Sequence, residues 1–175
     1  MSNHNNGQSP LTQFGGTSRE WQGDAGFAGE EKVKLTVLVI DDDEDDMEMI
    51  IDALNENEDV EYVATASEAA KAIVALKEEA FTPDMIFLDI NMPVINGFEF
   101  QEALKGHRGL DRIPIVFLTT SARETDVSRA LKSTAMRYII KPDRFVDLLK
   151  KLQEVTTAVL LEKTRPSNTK VTKIG

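Results

Sequence analysis

Four short apolar runs in this 175-residue chain each end on residues that can hold a cation or a phosphoryl group. Residues 37–40 lead into Asp41, Asp42 and Asp43; residues 85–88 lead into Asp89. Residues 115–118 lead into Thr119 and Thr120, and residues 138–140 into Lys141 and Pro142. Carboxylates supply the hard oxygens that magnesium prefers, and an ammonium and a hydroxyl suit phosphoryl oxygens. Strand ends of a parallel α/β sheet share one edge, so residues far apart in sequence can meet there on one ligand. Three carboxylates, a hydroxyl and an ammonium describe a magnesium and phosphoryl site.

The segments between these runs alternate between strand-like and helix-like, which argues for crossover units on a parallel sheet. Residues 44–55 place Met47, Ile50, Ile51 and Leu54 on one stripe, with Asp45, Glu48 and Asp52 elsewhere, as an amphipathic helix requires. Residues 60–64 suit a second strand, and Ser67 is placed to cap a helix over 68–80. Asn96-Gly97 is a turn signal introducing a helix over 98–105, and Gly106 and Gly109 frame a loop. Pro114 opens the fourth strand and residues 123–133 form another helix. Asp143 is placed to cap a last helix running through Phe145, Leu148, Leu149 and Leu152 toward Leu160. The expectation is an α/β fold with five strands and five helices covering both faces of the sheet.

The flanks differ from this core. Residues 1–33 read as a flexible arm, punctuated by glycines and without helical or strand period; Phe14, Trp21 and Phe27 are its only candidate docking anchors. Residues 161–175 read as a flexible basic tail with Lys163, Arg165, Lys170 and Lys173, leaving 34–160 as the folded domain. A net charge of −10 argues against unaided nucleic-acid binding, and the absence of cysteine excludes disulfides and thiolate chemistry. The opening residues lack a secretory signal and no run is long enough to span a bilayer, so the expected location is cytoplasmic, with no membrane or direct nucleic-acid partner.

Plainer readings exist for each residue. Acidic residues favour the first turn of a helix, and for Asp43, Asp45 and Asp46 that reading is preferred. Asp41 and Asp42 are different, because adjacent carboxylates at a strand end repel unless a cation is near. A calcium loop on Asp41, Asp43 and Asp45 lacks its glycine and has Asp52 where a bidentate Glu is needed. Thr119 and Thr120 alone could be ordinary strand residues and Lys141 a surface ammonium. His4 and His107 have no metal-ligand spacing and receive no role.

Taken in order, the motifs resemble the receiver domain of bacterial two-component response regulators over about residues 35–155. They are Val37-Leu38-Val39-Ile40-Asp41-Asp42, then Phe87-Leu88-Asp89-Ile90-Asn91-Met92-Pro93 with Asn96-Gly97. Phe117-Leu118-Thr119-Thr120-Ser121 and Tyr138-Ile139-Ile140-Lys141-Pro142 complete the set. The Thr-Thr-Ser version and the loop over 108–114 look most like single-domain receivers similar to regulators of cyanobacterial phytochrome kinases. The resemblance implies a doubly wound five-stranded parallel sheet of flavodoxin-like order 2-1-3-4-5.

It also implies roles. Asp89 would be the phosphoacceptor, an aspartate nucleophile whose acyl-phosphate product demands an activated donor such as phosphohistidine. Asp42 and Asp89 would contact magnesium directly, Asp41 through a water, and the backbone carbonyl of Asn91 would complete the protein ligands. Lys141 would pair with Asp89 before transfer and with a phosphoryl oxygen after it, aimed by a cis Lys141–Pro142 bond, while Thr119 would bind another oxygen. Thr119 and Tyr138 would switch the face made by the fourth helix, fifth strand and fifth helix, the expected output surface and a possible homodimer contact. Arg137, where a small residue is common, and Ser133-Thr134-Ala135, in place of a glycine-containing turn, depart from the pattern. Val159, Leu160 and Leu161 offer extra apolar surface for a dimer or docking contact, or for packing of the arm.

The expected function is a stand-alone receiver in a phosphorelay, a signalling protein that catalyses only its own phosphorylation and dephosphorylation. Its partners would be a histidine kinase or histidine phosphotransfer protein and a downstream protein target. A haloacid-dehalogenase-like phosphatase is the second class, since Asp41 and Asp43 superficially fit its Asp-x-Asp nucleophile motif; that family's later metal-binding acidic pair has no counterpart after Lys141 in this chain. A non-phosphorylated interaction module is the third, and it would have lost one of the essential residues.

Overall fold

The computed structural model describes residues 32–165. Phe14, Trp21, Phe27, Lys170 and Lys173 lie outside the described residues.

The five expected strands form; those at 35–40, 85–88 and 115–119 are buried along nearly their whole length, so neither face has a polar side to present, whereas the edge strand at 137–140 keeps Arg137 and Ile140 exposed. β1 is Leu35–Ile40, β2 Val60–Ala66, β3 Met85–Leu88, β4 Ile115–Thr119 and β5 Arg137–Ile140. All pairings are parallel and the order is β2-β1-β3-β4-β5, the expected flavodoxin-like arrangement. The helices are α1 (Glu44–Asn55), α2 (Ala69–Lys77), α3 (Gly97–Leu104), α4 (Glu124–Lys132) and α5 (Phe145–Thr164).

Alternation along each strand sends side chains to two cores. Leu38, Ile40, Ile86, Leu88 and Phe117 pack with Ile73, Phe98, Phe100 and Leu104 on the side of α2 and α3. Val37, Val39, Met85, Phe87 and Leu118 pack with Ile50, Leu54, Leu148, Leu152 and Val155 on the side of α1 and α5.

Several helix starts and ends differ from expectation. α2 begins at Ala69 with Glu68 at its N-cap and no side-chain cap; Ser67 stands one residue too early, and Glu68 pairs with Lys71 instead. Asp143 does not cap α5 either, because Arg144 in extended conformation occupies the N-cap position. A short 3-10 turn, Leu110–Arg112, follows Gly109, whose φ of 92° is the left-handed backbone that favours glycine.

α5 continues to Thr164, so residues 161–164 expected in the tail are helical. Val159 is buried and Leu160 packs on the α1–α5 core, which withdraws both from the extra apolar surface expected there; Leu161 stays exposed.

Candidate functional site

Asp41 follows β1, Asp89 follows β3, Thr119 ends β4 and Lys141 follows β5, so the topology brings all four to one sheet edge. The edge sits where the order reverses between β1 and β3, the place where open α/β sheets form their ligand crevice. Sheet-like bonds continue past the strand ends and hold the residues themselves. The Asp89 N–H donates to the Ile40 carbonyl at 2.9 Å, the Lys141 N–H to the Thr119 carbonyl at 2.9 Å, and the Asp41 N–H to the Ala66 carbonyl at 3.1 Å.

The carboxylates of Asp41, Asp42 and Asp89 offer oxygens that all lie within 4.8 Å of one another. Asp41 is 2% exposed and Asp89 6%, whereas Asp42 faces solvent. The Lys141 ammonium donates to Asp41 Oδ2 and to Asp46 Oδ2, each at 2.6 Å, and stands 3.7 Å from Asp89 Oδ1. Its main partners are therefore Asp41 and Asp46, and Asp89 has a looser ion pair.

The Lys141–Pro142 bond is trans, as are all peptide bonds among the described residues, contrary to the expected cis bond. The Lys141 ammonium reaches the acidic pocket with this bond trans.

Asp46 reached this site unannounced. It lies in the first turn of α1, where side chains lean back toward the helix N-terminus and hence over the end of β1. Asp43, expected in the acidic first turn, stands just before it as the N-cap of the same helix, its side chain accepting from the Asp46 N–H at 3.0 Å.

Burial pushes the Asp41 carboxyl up to about 6, against the opposing hydrogen bond and charge of Lys141. Burial works against the Lys141 ammonium as well, but its hydrogen bonds to Asp41 and Asp46 more than offset this and hold it above the ordinary lysine value. With the Asp41 carboxyl at about 6 and the Lys141 ammonium held above its ordinary value, the pair is mostly ionised at neutral pH. Asp41, Asp42, Asp46 and Asp89 set four carboxylates against the Lys141 ammonium. A donor set of hard oxygens with surplus negative charge fits a small divalent cation.

On the other side of Asp89, Asn91 touches three groups. Its N–H donates to Asp89 Oδ2 at 2.6 Å, its Nδ2 to Thr119 Oγ1 at 3.2 Å, and its Oδ1 accepts from Arg123 at 3.4 Å. Thr119 is fully buried and its hydroxyl also accepts from the Ser121 N–H at 3.2 Å. Tyr138, half-buried, donates its hydroxyl to the Ser121 carbonyl at 2.5 Å, so β5 is tied to the loop after Thr119. Burial, followed by the Asp126 carboxylate, raises the Tyr138 phenol above its usual value.

Gly97 completes the scaffold, for a Cβ there would stand 2.5 Å from the Asp89 carbonyl oxygen. The preceding Asn96 caps α3 in a capping box with Glu99, which seats the helix against that backbone.

The model of the response regulator receiver domain family matches residues 37–153. An uncharacterised response regulatory protein of Yersinia pestis is 32% identical over 128 residues, covering 73% of this chain and 51% of that protein. The chain spans about half the length of the curated relatives it matches. The phosphorylated cyanobacterial phytochrome response regulator RcpA superposes with a TM-score of 0.67 at 26% identity, over 77% of this chain and 100% of that one. The Mn(2+)-bound form of response regulator Rcp1 gives a TM-score of 0.63 at 28% identity, over 72% and 94%.

Proposed function

The chain belongs to the response regulator receiver domain family, and from that we propose that it is a stand-alone receiver that accepts a phosphoryl group on Asp89 from a phosphohistidine donor. The observation that carries this reading is the Asp89 carboxylate itself: nearly buried, beside the Lys141 ammonium and the Asp41 and Asp42 carboxylates. Asp89 spends one oxygen on the Asn91 N–H and keeps Oδ1 only loosely paired. Asp41, by contrast, has Oδ1 bonded to the Asp43 N–H at 3.1 Å and Oδ2 to Lys141, which disfavours it as a nucleophile and with it the phosphatase reading.

Asp42 and Asp89 with the Asn91 backbone carbonyl, and Asp41 through a water, would hold magnesium; bound there it neutralises charge on the transferring oxygens. The manganese in the Rcp1 structure supports this assignment by analogy. Asp89 attacks phosphorus in line as the P–N bond breaks; the electron pair stays on the donor imidazole, which leaves neutral because its other ring nitrogen carries a proton. Lys141 and the Thr119 hydroxyl then bind two of the phosphoryl oxygens. The draw on Thr119 is felt by Ser121 and Tyr138 through the bonds already present, and the α4–β5–α5 surface changes for a downstream protein or a second copy.

The test is incubation of the full chain with magnesium and candidate phosphohistidine donors, with mass spectrometry of the labelled residue. Label on Asp89, lost in Asp89→Asn with the fold intact, is expected. Label on Asp41, or normal incorporation into Asp89→Asn, refutes the reading.

A further inference from the structure

We propose that Arg123 covers the phosphoryl group carried by Asp89 and slows its hydrolysis. This rests on the phosphoacceptor reading above and adds a residue to it.

Arg123 precedes α4 and its side chain is 72% exposed, yet it turns back toward the site. Nη2 donates to Asn91 Oδ1 at 3.4 Å, and Nε lies 3.6 Å from Asp126 Oδ2. Asn91 is the common neighbour: it bonds the Asp89 carboxylate, the Thr119 hydroxyl and this guanidinium. Arg123 therefore sits one residue away from the acceptor, on its solvent side, since Asn91 itself is exposed while Asp89 is nearly buried.

Neither contact of Arg123 is tight. Asp126 Oδ2 has a shorter partner in the Ser121 hydroxyl at 2.7 Å, and the Asn91 oxygen is a neutral acceptor. A phosphoryl group on Asp89 presents anionic oxygens, for which a planar guanidinium fork is the better match. The exchange replaces two weak contacts with a charge-assisted one.

Hydrolysis needs a water in line with the acyl-phosphate bond. The water oxygen bonds phosphorus as the P–O bond to Asp89 breaks, the electron pair stays on the Asp89 carboxylate, and the water's protons leave with inorganic phosphate and solvent. A guanidinium bonded to the phosphoryl oxygens on the open side occupies that approach. The loop carrying it is tied to Thr119 through the Ser121 N–H and to Tyr138 through the Ser121 carbonyl, so the cover and the switch share one segment.

The experiment uses the full chain, phosphorylated with magnesium and a small phosphoramidate or acyl phosphate, and follows label on Asp89 after the donor is removed. Arg123→Ala is expected to lose label about five- to tenfold faster than the unmodified chain, the size of one ordinary hydrogen bond, since the guanidinium is largely exposed. Arg123→Lys should fall between, because the ammonium keeps the charge and loses the fork. Asp126→Asn, which releases the guanidinium while preserving an acceptor for Ser121, should lose label more slowly. If Arg123→Ala lowers the thermal midpoint, Arg123→Lys at unchanged midpoint decides. Equal decay in the arginine variants and the unmodified chain, or faster decay in Asp126→Asn, overturns the proposal alone. Absence of label from the unmodified chain removes the phosphoacceptor reading and this proposal together.

Discussion

At Gly97 the hydrogen in place of a side chain lets the start of α3 lie against the backbone of Asp89. A methyl group would meet the Asp89 carbonyl oxygen at 2.5 Å and the Ile90 Cα at 3.0 Å, both backbone atoms without freedom to turn aside. Gly97→Ala should therefore cost about 1–3 kcal/mol and shift the acceptor as well. Urea unfolding measures the first effect, and the rate of Asp89 labelling the second; an alanine variant with unchanged midpoint and rate would show that α3 can retreat. Lys141 is the other residue whose removal has a defined outcome. Lys141→Met strands Asp41 and Asp46 without their cation, and breaking such a largely buried pair costs about 3–5 kcal/mol. The loss should shrink at acidic pH as the buried Asp41 carboxyl, already pushed up to about 6, takes up a proton, a dependence read from urea midpoints between neutral pH and pH 5.

Among the elements, α5 is held by polar contacts at its C-terminal half as well as by its apolar face. The Asn57 side chain, in the turn after α1, donates to Thr156 Oγ1 at 2.7 Å in a buried setting. Near it the Thr157 hydroxyl donates to Asp59 at 2.7 Å. Nearly two turns further, Lys163 meets Asp84 at 2.7 Å, whose other oxygen accepts the Thr36 N–H at 2.8 Å. Thr156→Val keeps the shape and leaves the Asn57 amide unpaired, so a loss of about 1–3 kcal/mol is expected by chemical denaturation. Lys163→Ala removes a partly exposed pair and should cost at most about 1 kcal/mol. If the two variants lose equally, the ranking by burial is wrong.

For the molecule as a whole, stability should follow pH and magnesium through the same acidic edge. Asp41 has a folded pKa of about 6 against 3.8 for the free group, so the folded state binds more protons between those values. Its contribution to stability is fully present below 3.8 and is lost as pH rises through 6. With each tenfold change in proton affinity worth about 1.4 kcal/mol, the carboxylate costs the metal-free fold up to a few kcal/mol at neutral pH. Lowering the pH from 7 to 5 should thus raise this group's share of the metal-free stability, and magnesium at neutral pH should raise the thermal midpoint by binding only the folded state. Asp42→Ala should abolish most of that magnesium response while leaving the metal-free midpoint unchanged or higher, because one of the crowded carboxylates is gone. An undiminished magnesium shift in Asp42→Ala places the ion elsewhere.

By itself the sequence determined the strand cores, their parallel α/β arrangement and the gathering of Asp41, Asp89, Thr119 and Lys141 on one edge. Apolar runs long enough to be strands, each ending in a polar group, leave few other ways to bury the one and solvate the other. The start of α3 was legible for a similar reason, since Asn96-Gly97 acts through local bonds. The caps at Ser67 and Asp143 were misread because a one-residue shift in a helix start puts the side chain out of reach of the free amides. Only the tertiary structure decided what touches what at the edge. The pairing of Lys141 with Asp46 and the reach of Arg123 to Asn91 join residues 95 and 32 positions apart. Such contacts depend on how α1 and α4 sit over the strand ends and on side-chain rotamers. Neither quantity leaves a period or a spacing in the chain. The burial of Val159, likewise, was set by how far α5 runs along the sheet, a length that packing against α1 and polar anchors such as Thr156 and Lys163 decide together.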